Sequence, residues 1–110
     1  MIVPGVGVDA ATVAIPLEPL PADQVLSGSP SAGFVELTDT IGVWEHTGGT
    51  STDVEAAEVF VVLSGSATLS FSDSSLAPVA LSPGSVVQLT AGMQTVWTVR
   101  ETLRKIYVAG

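Results

Sequence analysis

The sequence contains no cysteine, which excludes disulfide bonds and thiolate metal sites. It is also poor in basic residues, with three against eleven acids and a net charge of −8, and no lysine or arginine precedes Arg100. A surface this acidic repels phosphate backbones and anionic lipids, so we expect neither nucleic acid nor a membrane as a partner. A secretory signal would need a positive N-terminal region, so we expect a cytoplasmic protein.

Segments that could form long helices are missing from the first third of the chain. Residues 1–33 are interrupted repeatedly by proline and glycine, which leaves room for only one helical turn, over residues 21–26, before Gly28. At 110 residues, one domain is expected. We interpret residues 1–33 as an N-terminal arm belonging to the same domain as a main body formed by residues 34–110.

The main body consists of short apolar segments separated by turn residues. Several of these segments alternate between apolar and polar residues, as half-buried strands do, and Glu58 leads directly into the apolar run 59–63. The predicted strands are 34–38, 41–45, 58–63, 67–71, 79–81, 86–89, 95–99 and 103–108. Short strands with a turn every eight to twelve residues are typical of an all-β sandwich or barrel.

Two spacings in the main body resemble the signature motifs of the cupin superfamily. Glu58 is followed by six residues and Gly65, and Gly84 is followed by five residues and the Thr90–Gly92 segment. The chain is most similar to a branch of small single-domain cupins grouped with ureidoglycine aminohydrolases and ethanolamine-utilisation cupins. The similar segments are 25–30, 42–45, 58–65, 81–84, 91–92, 96–99 and 101–107. The resemblance implies a double-stranded β-helix, which is a cupin-type jelly-roll barrel.

The same resemblance implies a position for a divalent metal, held in the superfamily by two histidines and the glutamate of the first motif and a histidine of the second. The corresponding residues here are Thr52, Val54, Glu58 and Thr95, or Ser51 and Asp53 for the first two if the loop is one residue longer. Only Glu58 survives as a ligand, since valine donates nothing and neutral hydroxyl groups bind divalent metals poorly. We therefore expect no metal and no other cofactor.

One alternative metal site remains open around His46, the only histidine. If Trp44 points into the barrel, His46 shares its face, and a weak divalent-metal site could combine His46 and Glu58 with Asp53 or Glu55. We favour the simpler interpretation of a solvated histidine at the end of a strand.

The resemblance also implies a pocket lined by inward-facing residues. These residues are Thr52, Val54, Glu58, Phe60, Thr95 and Trp97. An apolar cavity with a few polar groups is the usual form of a small-molecule site, and Trp97 offers a flat face for stacking. Glu58 could bind an amine or act as a catalytic general base. Alternatively it is structural, accepting hydrogen bonds or pairing with Arg104 or Lys105.

Three functions follow from these features. We favour a small cupin that has lost its metal ligands and binds a small organic molecule. The first alternative is an enzyme resembling ureidoglycine aminohydrolase, either metal-dependent or using Glu58 as the base. The second is a structural module, because the apolar outer strands and the arm could build a homodimer.

Overall fold

A computed structural model describes all 110 residues, and nearly all of its regular structure is β-strand. The strands in chain order are β1 (Glu18–Pro19), β2 (Val25–Gly28), β3 (Ser31–Glu36), β4 (Ile41–His46), β5 (Gly49–Val54), β6 (Glu58–Phe71), β7 (Val79–Leu81), β8 (Val86–Leu89) and β9 (Gln94–Ala109). The only helical segment is a 3₁₀ turn, Ala22–Gln24. No helix has the length and apolar character needed to cross a bilayer.

Two long strands, β6 and β9, form the axis of the molecule. They pair antiparallel along their length, from Glu58 opposite Ala109 to Phe71 opposite Thr95. The other edge of β9 pairs with β4 and β5, and the other edge of β6 pairs with β8 and β7. β3 and β1 extend the sheet beyond β4, and β2 extends it beyond β5. This curled antiparallel sheet is consistent with the double-stranded β-helix that the cupin resemblance implies.

The long strands curl because β6 bends at Gly65. Gly65 has φ of +95°, and a Cβ added there would lie 2.1 Å from the carbonyl oxygen of Thr102 on β9. Only glycine combines this backbone conformation with such a close approach. The pairing of β6 with β9 shifts register between Val62 and Ala67, around the bend. The two segments predicted as separate strands on either side of Gly65 therefore form one bent strand.

The concave face of the sheet holds the hydrophobic core. Its buried members are Phe60, Val62, Ala67, Leu69, Leu81, Leu89, Trp97, Val99 and Leu103. Direct cross-strand partners share a face of a sheet, so the pairs Trp44–Lys105 and His46–Leu103 place these four side chains on the concave side. Their neighbours Glu45 and Arg104 consequently face the convex side.

The N-terminal arm is fastened to the convex side by Arg104. Its guanidinium pairs with Glu45 at 2.9 Å and donates hydrogen bonds to the carbonyl oxygens of Ala10 (3.0 Å) and Val13 (2.8 Å). Further along, β2 and the first residues of β3 join the sheet although they precede residue 34. The predicted helical turn is shorter than expected, because the chain is already a strand from Val25 onward.

Candidate functional site

The centre of the site is an ion pair inside the mouth of the barrel. The Nζ atom of Lys105 on β9 lies 2.9 Å from the Oε1 atom of Glu58 at the start of β6. The two side chains are only 4% and 14% exposed, respectively. Of the two possibilities for Glu58, a free acid or a paired one, the structure has the paired acid. Its predicted catalytic role stays a prediction.

Three aromatic rings surround the Lys105 ammonium. Its Nζ atom lies 4.6 Å from the ring centroid of Trp44, 4.4 Å from that of Phe60 and 4.7 Å from that of Trp97. The electron-rich ring faces attract a cation within about 6 Å. The rings therefore stabilise a positive charge at the position where Glu58 supplies the negative one.

Glu55 is a buried acid on the other side of the mouth. Its backbone is fixed to the turn before β9, because its N–H donates to the Met93 carbonyl oxygen and its own carbonyl oxygen accepts from the Gly92 N–H, both at 2.8 Å. Its Oε2 atom accepts hydrogen bonds from the Thr95 hydroxyl at 2.5 Å and from the Trp97 indole N–H at 3.0 Å. Oε1 has no hydrogen-bond partner.

The carboxyl groups of Glu55 and Asp53 both hold protons more tightly than usual. Burial is the main cause that raises the pKa of Glu55, and the negative charge of Asp53 raises it further. The hydrogen bonds from Thr95 and Trp97 and the positive charge of Lys105 lower it, but they do not cancel the rise. Burial is also the main cause that raises the pKa of Asp53, against the lowering effects of the Val54 N–H and of Lys105. At the mouth, the surroundings of these two carboxyl groups therefore stabilise the ionised form less than water would.

These groups surround a cavity of about 330 Å³. Its walls are aromatic and aliphatic side chains, three acids and one ammonium: Phe34, Trp44, Asp53, Val54, Glu55, Ala56, Glu58, Trp97, Lys105 and Tyr107. Burial raises the pKa of Tyr107, as do the nearby charges of Glu36 and Glu58. A concave, largely apolar site with a few convergent polar groups is the usual form of a small-molecule site.

The six predicted pocket residues are only partly brought together. Glu58 and Trp97 line the cavity, and Val54, which is 65% exposed, lies at its rim. Phe60 lies beneath Lys105 in the core. Thr95 is buried behind Glu55, to which its hydroxyl donates a hydrogen bond.

The expectation that Thr52 faces the cavity needs a correction of one residue. Ser51 pairs with Trp97 and Asp53 with Thr95, so Ser51 and Asp53 occupy the concave face, as the longer-loop alternative predicted. Thr52 belongs to the opposite face, where its hydroxyl lies 3.5 Å from the Gln24 carbonyl oxygen. It lines a separate polar depression formed with residues of β5 and β9.

The donor set does not fit a divalent metal. Of the implied ligands, Glu58 is already neutralised by Lys105. Ser51 is hydrogen-bonded to His46 and Thr95 to Glu55. No group of three or more histidine, aspartate or glutamate side chains converges on one point, so the ligand set that a divalent metal needs is not assembled.

His46 differs from the solvated histidine that we favoured, because it is 1% exposed. Its Nδ1–H donates to the Thr47 carbonyl oxygen at 2.6 Å, which leaves Nε2 to accept from the Ser51 hydroxyl at 2.8 Å. Burial lowers the pKa of His46, against the raising effect of the Thr47 hydrogen bond, and so favours the neutral ring. Both ring nitrogens are used, so the alternative metal site of His46 and Glu58 lacks a free imidazole donor.

Sequence reasoning missed Lys105 and Glu55 as members of the site. Lys105 had been considered only as a possible partner of Glu58, although its parity with Tyr107 and Leu103 was a usable signal for an inward side chain. Glu55 had been considered only for a weak metal site. Its position depends on the loop after β5, which no periodicity in the sequence indicates.

Comparison with known families and structures identifies the relatives of this site. Residues 36–107 match the model of the EutQ-like cupin domain. A search of curated proteins gives no match.

Several solved structures share the fold at low sequence identity. The EutQ protein of Clostridium difficile is 18% identical, with 94% of this chain and 84% of that chain covered and a TM-score of 0.68. A protein of unknown function of the DUF861 family from Pseudomonas syringae pv. tomato is 19% identical, with coverage of 91% and 46% and a TM-score of 0.73. A putative ethanolamine utilization protein Q from Salmonella typhimurium is 12% identical, with coverage of 89% and 96% and a TM-score of 0.61.

Proposed function

Because this chain belongs to the family of EutQ-like cupin domains, we propose that it binds a small organic molecule in the cavity at the mouth of its barrel. The observation that carries the proposal is the ion pair of Lys105 and Glu58 inside an aromatic enclosure that opens on the cavity. The Lys105 ammonium is a fixed positive charge of this site.

The acids at the cavity favour a ligand that brings N–H or O–H donors. Asp53, Glu55 and Glu58 line the cavity against one base, Lys105, so the acids are in excess. The Oε1 atom of Glu55 accepts no hydrogen bond from the protein, so it can accept one from a ligand in the cavity. A protonated amine would supply the positive charge that these acids lack, and the aromatic walls would cover its apolar part.

This arrangement makes amine binding depend on pH. Since burial raises the pKa of Asp53 and of Glu55, part of these groups stay protonated above the usual range of carboxylic acids. A bound cation favours the ionised acids and releases their protons. Affinity for an amine should therefore increase as the pH rises through the raised pKa values, and an uncharged ligand should not show this dependence.

Thermal unfolding with a panel of matched compounds tests the proposal. The panel pairs small primary amines with alcohols and hydrocarbons of the same shape. A ligand at one hundred times its dissociation constant stabilises the folded state by about 2.7 kcal/mol. We expect amines to raise the melting temperature more than alcohols, and hydrocarbons to raise it least.

Two variants of equal charge change locate the binding. Asp53→Asn alters the cavity, whereas Asp39→Asn removes an exposed carboxylate from the loop between β3 and β4. We expect Asp53→Asn to weaken the stabilisation by amines and Asp39→Asn to leave it unchanged. If no compound stabilises the protein, or if both variants respond alike, the proposal is wrong.

Self-association is a second candidate function, which an apolar patch on the convex side favours. Val59 pairs with Val108 and Val61 pairs with Val86 and Ile106, which gathers these side chains on one face. Val59, Val86 and Val108 are 38%, 65% and 46% exposed. A second copy of the chain would cover this patch and give the predicted homodimer.

Sedimentation velocity tests the homodimer. We expect the wild-type chain to sediment as a dimer and Val86→Lys to sediment as a monomer. Val8→Lys adds the same charge at an exposed valine of the arm and should leave the dimer intact. A wild-type monomer at all concentrations would contradict this role without affecting small-molecule binding.

A further inference from the structure

Lys105 is the only lysine in the sequence. Its side chain lines the cavity that we propose as the small-molecule site. Its residue surface is 3% exposed, but its side chain forms part of the wall of the 330 Å³ cavity. The amine is thus screened from bulk water while open to whatever occupies the cavity.

The ammonium of Lys105 has fewer hydrogen-bond partners than it has hydrogens. An ammonium carries three donors, and the only acceptor within hydrogen-bond distance is the Oε1 atom of Glu58 at 2.9 Å. The remaining directions meet the rings of Trp44, Phe60 and Trp97. A lysine desolvated in an apolar pocket is the setting in which lysines form imines with carbonyl compounds, and Glu58 is the group in contact that can take its proton.

We propose that Lys105 reacts with a small aldehyde in this cavity and forms a protonated imine, with Glu58 as its counter-ion. This inference rests on the proposed function, because it requires the cavity to admit a small organic molecule. It adds the chemical class of the reacting group, which is a carbonyl, and the atom that it meets, which is Nζ.

The reaction balances with the groups present. Glu58 takes one proton from the ammonium, and the nitrogen lone pair attacks the carbonyl carbon to form a C–N bond. The former carbonyl oxygen acquires a proton from nitrogen and becomes the hydroxyl of a carbinolamine. Glu58 returns its proton to that hydroxyl, the C–O bond breaks, water leaves and the nitrogen lone pair forms the C=N bond. The sum is ammonium plus aldehyde giving iminium plus water, so no oxidant or reductant is needed.

The enclosure of Lys105 favours the product as well as the starting ammonium. Both carry one positive charge at the same nitrogen, so the Glu58 carboxylate and the three ring faces stabilise both. Since the charge is conserved, the ion pair does not shift the overall equilibrium against the iminium, although the attacking amine must first give its proton to Glu58. Asp53 and Glu55, which line the same cavity, can accept hydrogen bonds from hydroxyl groups elsewhere on the aldehyde.

Reductive trapping tests this reaction on the full chain. The protein is incubated at neutral pH with propanal and cyanoborohydride, which reduces an imine to a stable secondary amine. Intact mass counts the propyl groups, and peptide mapping locates them. The sequence offers only two primary amines, Nζ of Lys105 and the α-amino group of Met1, whose residue is 75% exposed. The α-amino group is an internal reference for an amine outside the site.

We expect the folded protein to be labelled at Lys105 faster than at the α-amino group. The same chain unfolded in urea should lose this preference, because the cavity no longer exists. Lys105→Arg should lose the label at position 105 completely and keep the label on the α-amino group. A folded protein labelled only at its α-amino group, or labelled at Lys105 no faster than the unfolded chain, would overturn the proposal.

The result separates this inference from the proposed function. If an amine or alcohol stabilises the protein but Lys105 stays unlabelled, the imine proposal is wrong and small-molecule binding is unaffected. Labelling at Lys105 that a stabilising ligand prevents places both events in the same cavity. If no compound stabilises the protein and Lys105 is not labelled, both proposals are wrong.

Discussion

Replacing Lys105 with methionine should destabilise the protein strongly. The substitution keeps an unbranched side chain of similar volume among the three rings, but it leaves the Glu58 carboxylate, which is 14% exposed, without its partner. Removing one member of a buried ion pair costs about 3–5 kcal/mol, and the partial exposure of Glu58 places this case near about 3 kcal/mol. For a domain of this size, a loss of about 3 kcal/mol lowers the melting temperature by roughly 12 °C.

Urea denaturation of matched variants checks both the magnitude and its cause. Arg100→Met removes the same charge from an exposed side chain, which donates only to the Thr68 hydroxyl at 3.0 Å, so it should cost at most about 1 kcal/mol. Adding Glu58→Leu to Lys105→Met should recover most of the lost stability, because two apolar side chains can replace a buried ion pair with little net cost. The reasoning is refuted if Lys105→Met costs no more than Arg100→Met, or if the second substitution recovers nothing.

Three further variants probe other parts of the structure. Burial raises the pKa of Glu55, so protonation of this carboxyl group stabilises the folded state fully below its ordinary pKa of 4.5, and this stabilisation is lost as the pH rises through the raised pKa. The urea midpoint of Glu55→Gln should therefore depend less on pH across that range than the midpoint of the wild type. Equal pH dependence in the two proteins would contradict the assignment. Gly65→Ala should lower the free energy of unfolding by at least about 2 kcal/mol more than Gly84→Ala does. Both glycines have φ of +95°, but only a Cβ added at Gly65 would meet backbone atoms. Equal losses would exclude this close approach as the reason for the bend. Arg104→Gln should speed elastase cleavage within the arm more than Arg100→Gln does, because Arg104, unlike Arg100, donates hydrogen bonds to carbonyl groups of the arm. Equal cleavage rates in the two variants would show that other contacts hold the arm.

The fold could be predicted wherever burial leaves a pattern in the sequence. The segments 79–81 and 86–89 are the strands β7 and β8 within their predicted bounds, because apolar runs end there at turn residues. Strand β5 was missed entirely, since Gly49–Val54 contains one apolar residue, at its end. Its place in the sheet comes from pairing with β9 and from the Ser51–His46 hydrogen bond, which are long-range contacts without local periodicity.

The candidate site was less predictable than the fold because it depends on register. A shift of one residue in a strand moves every side chain to the other face, and this is why Thr52 and Val54 were expected where Ser51 and Asp53 lie. Glu58 was identified because its spacing from Gly65 resembles the first cupin motif. The parity of Lys105 with Leu103 and Tyr107 indicates an inward side chain, but its place in the site follows only once β4, β6 and β9 are assembled.

Strand β9 is synthesised after the three strands that pair with it, β4, β5 and β6. A nascent chain that ends before residue 94 has β4, β5 and β6 but lacks the strand that pairs with all of them. Because these contacts join residues far apart in sequence, the barrel cannot close before Gln94–Ala109 has been synthesised. Until then the apolar faces of β4 and β6 are exposed, and this is the interval in which aggregation competes with folding.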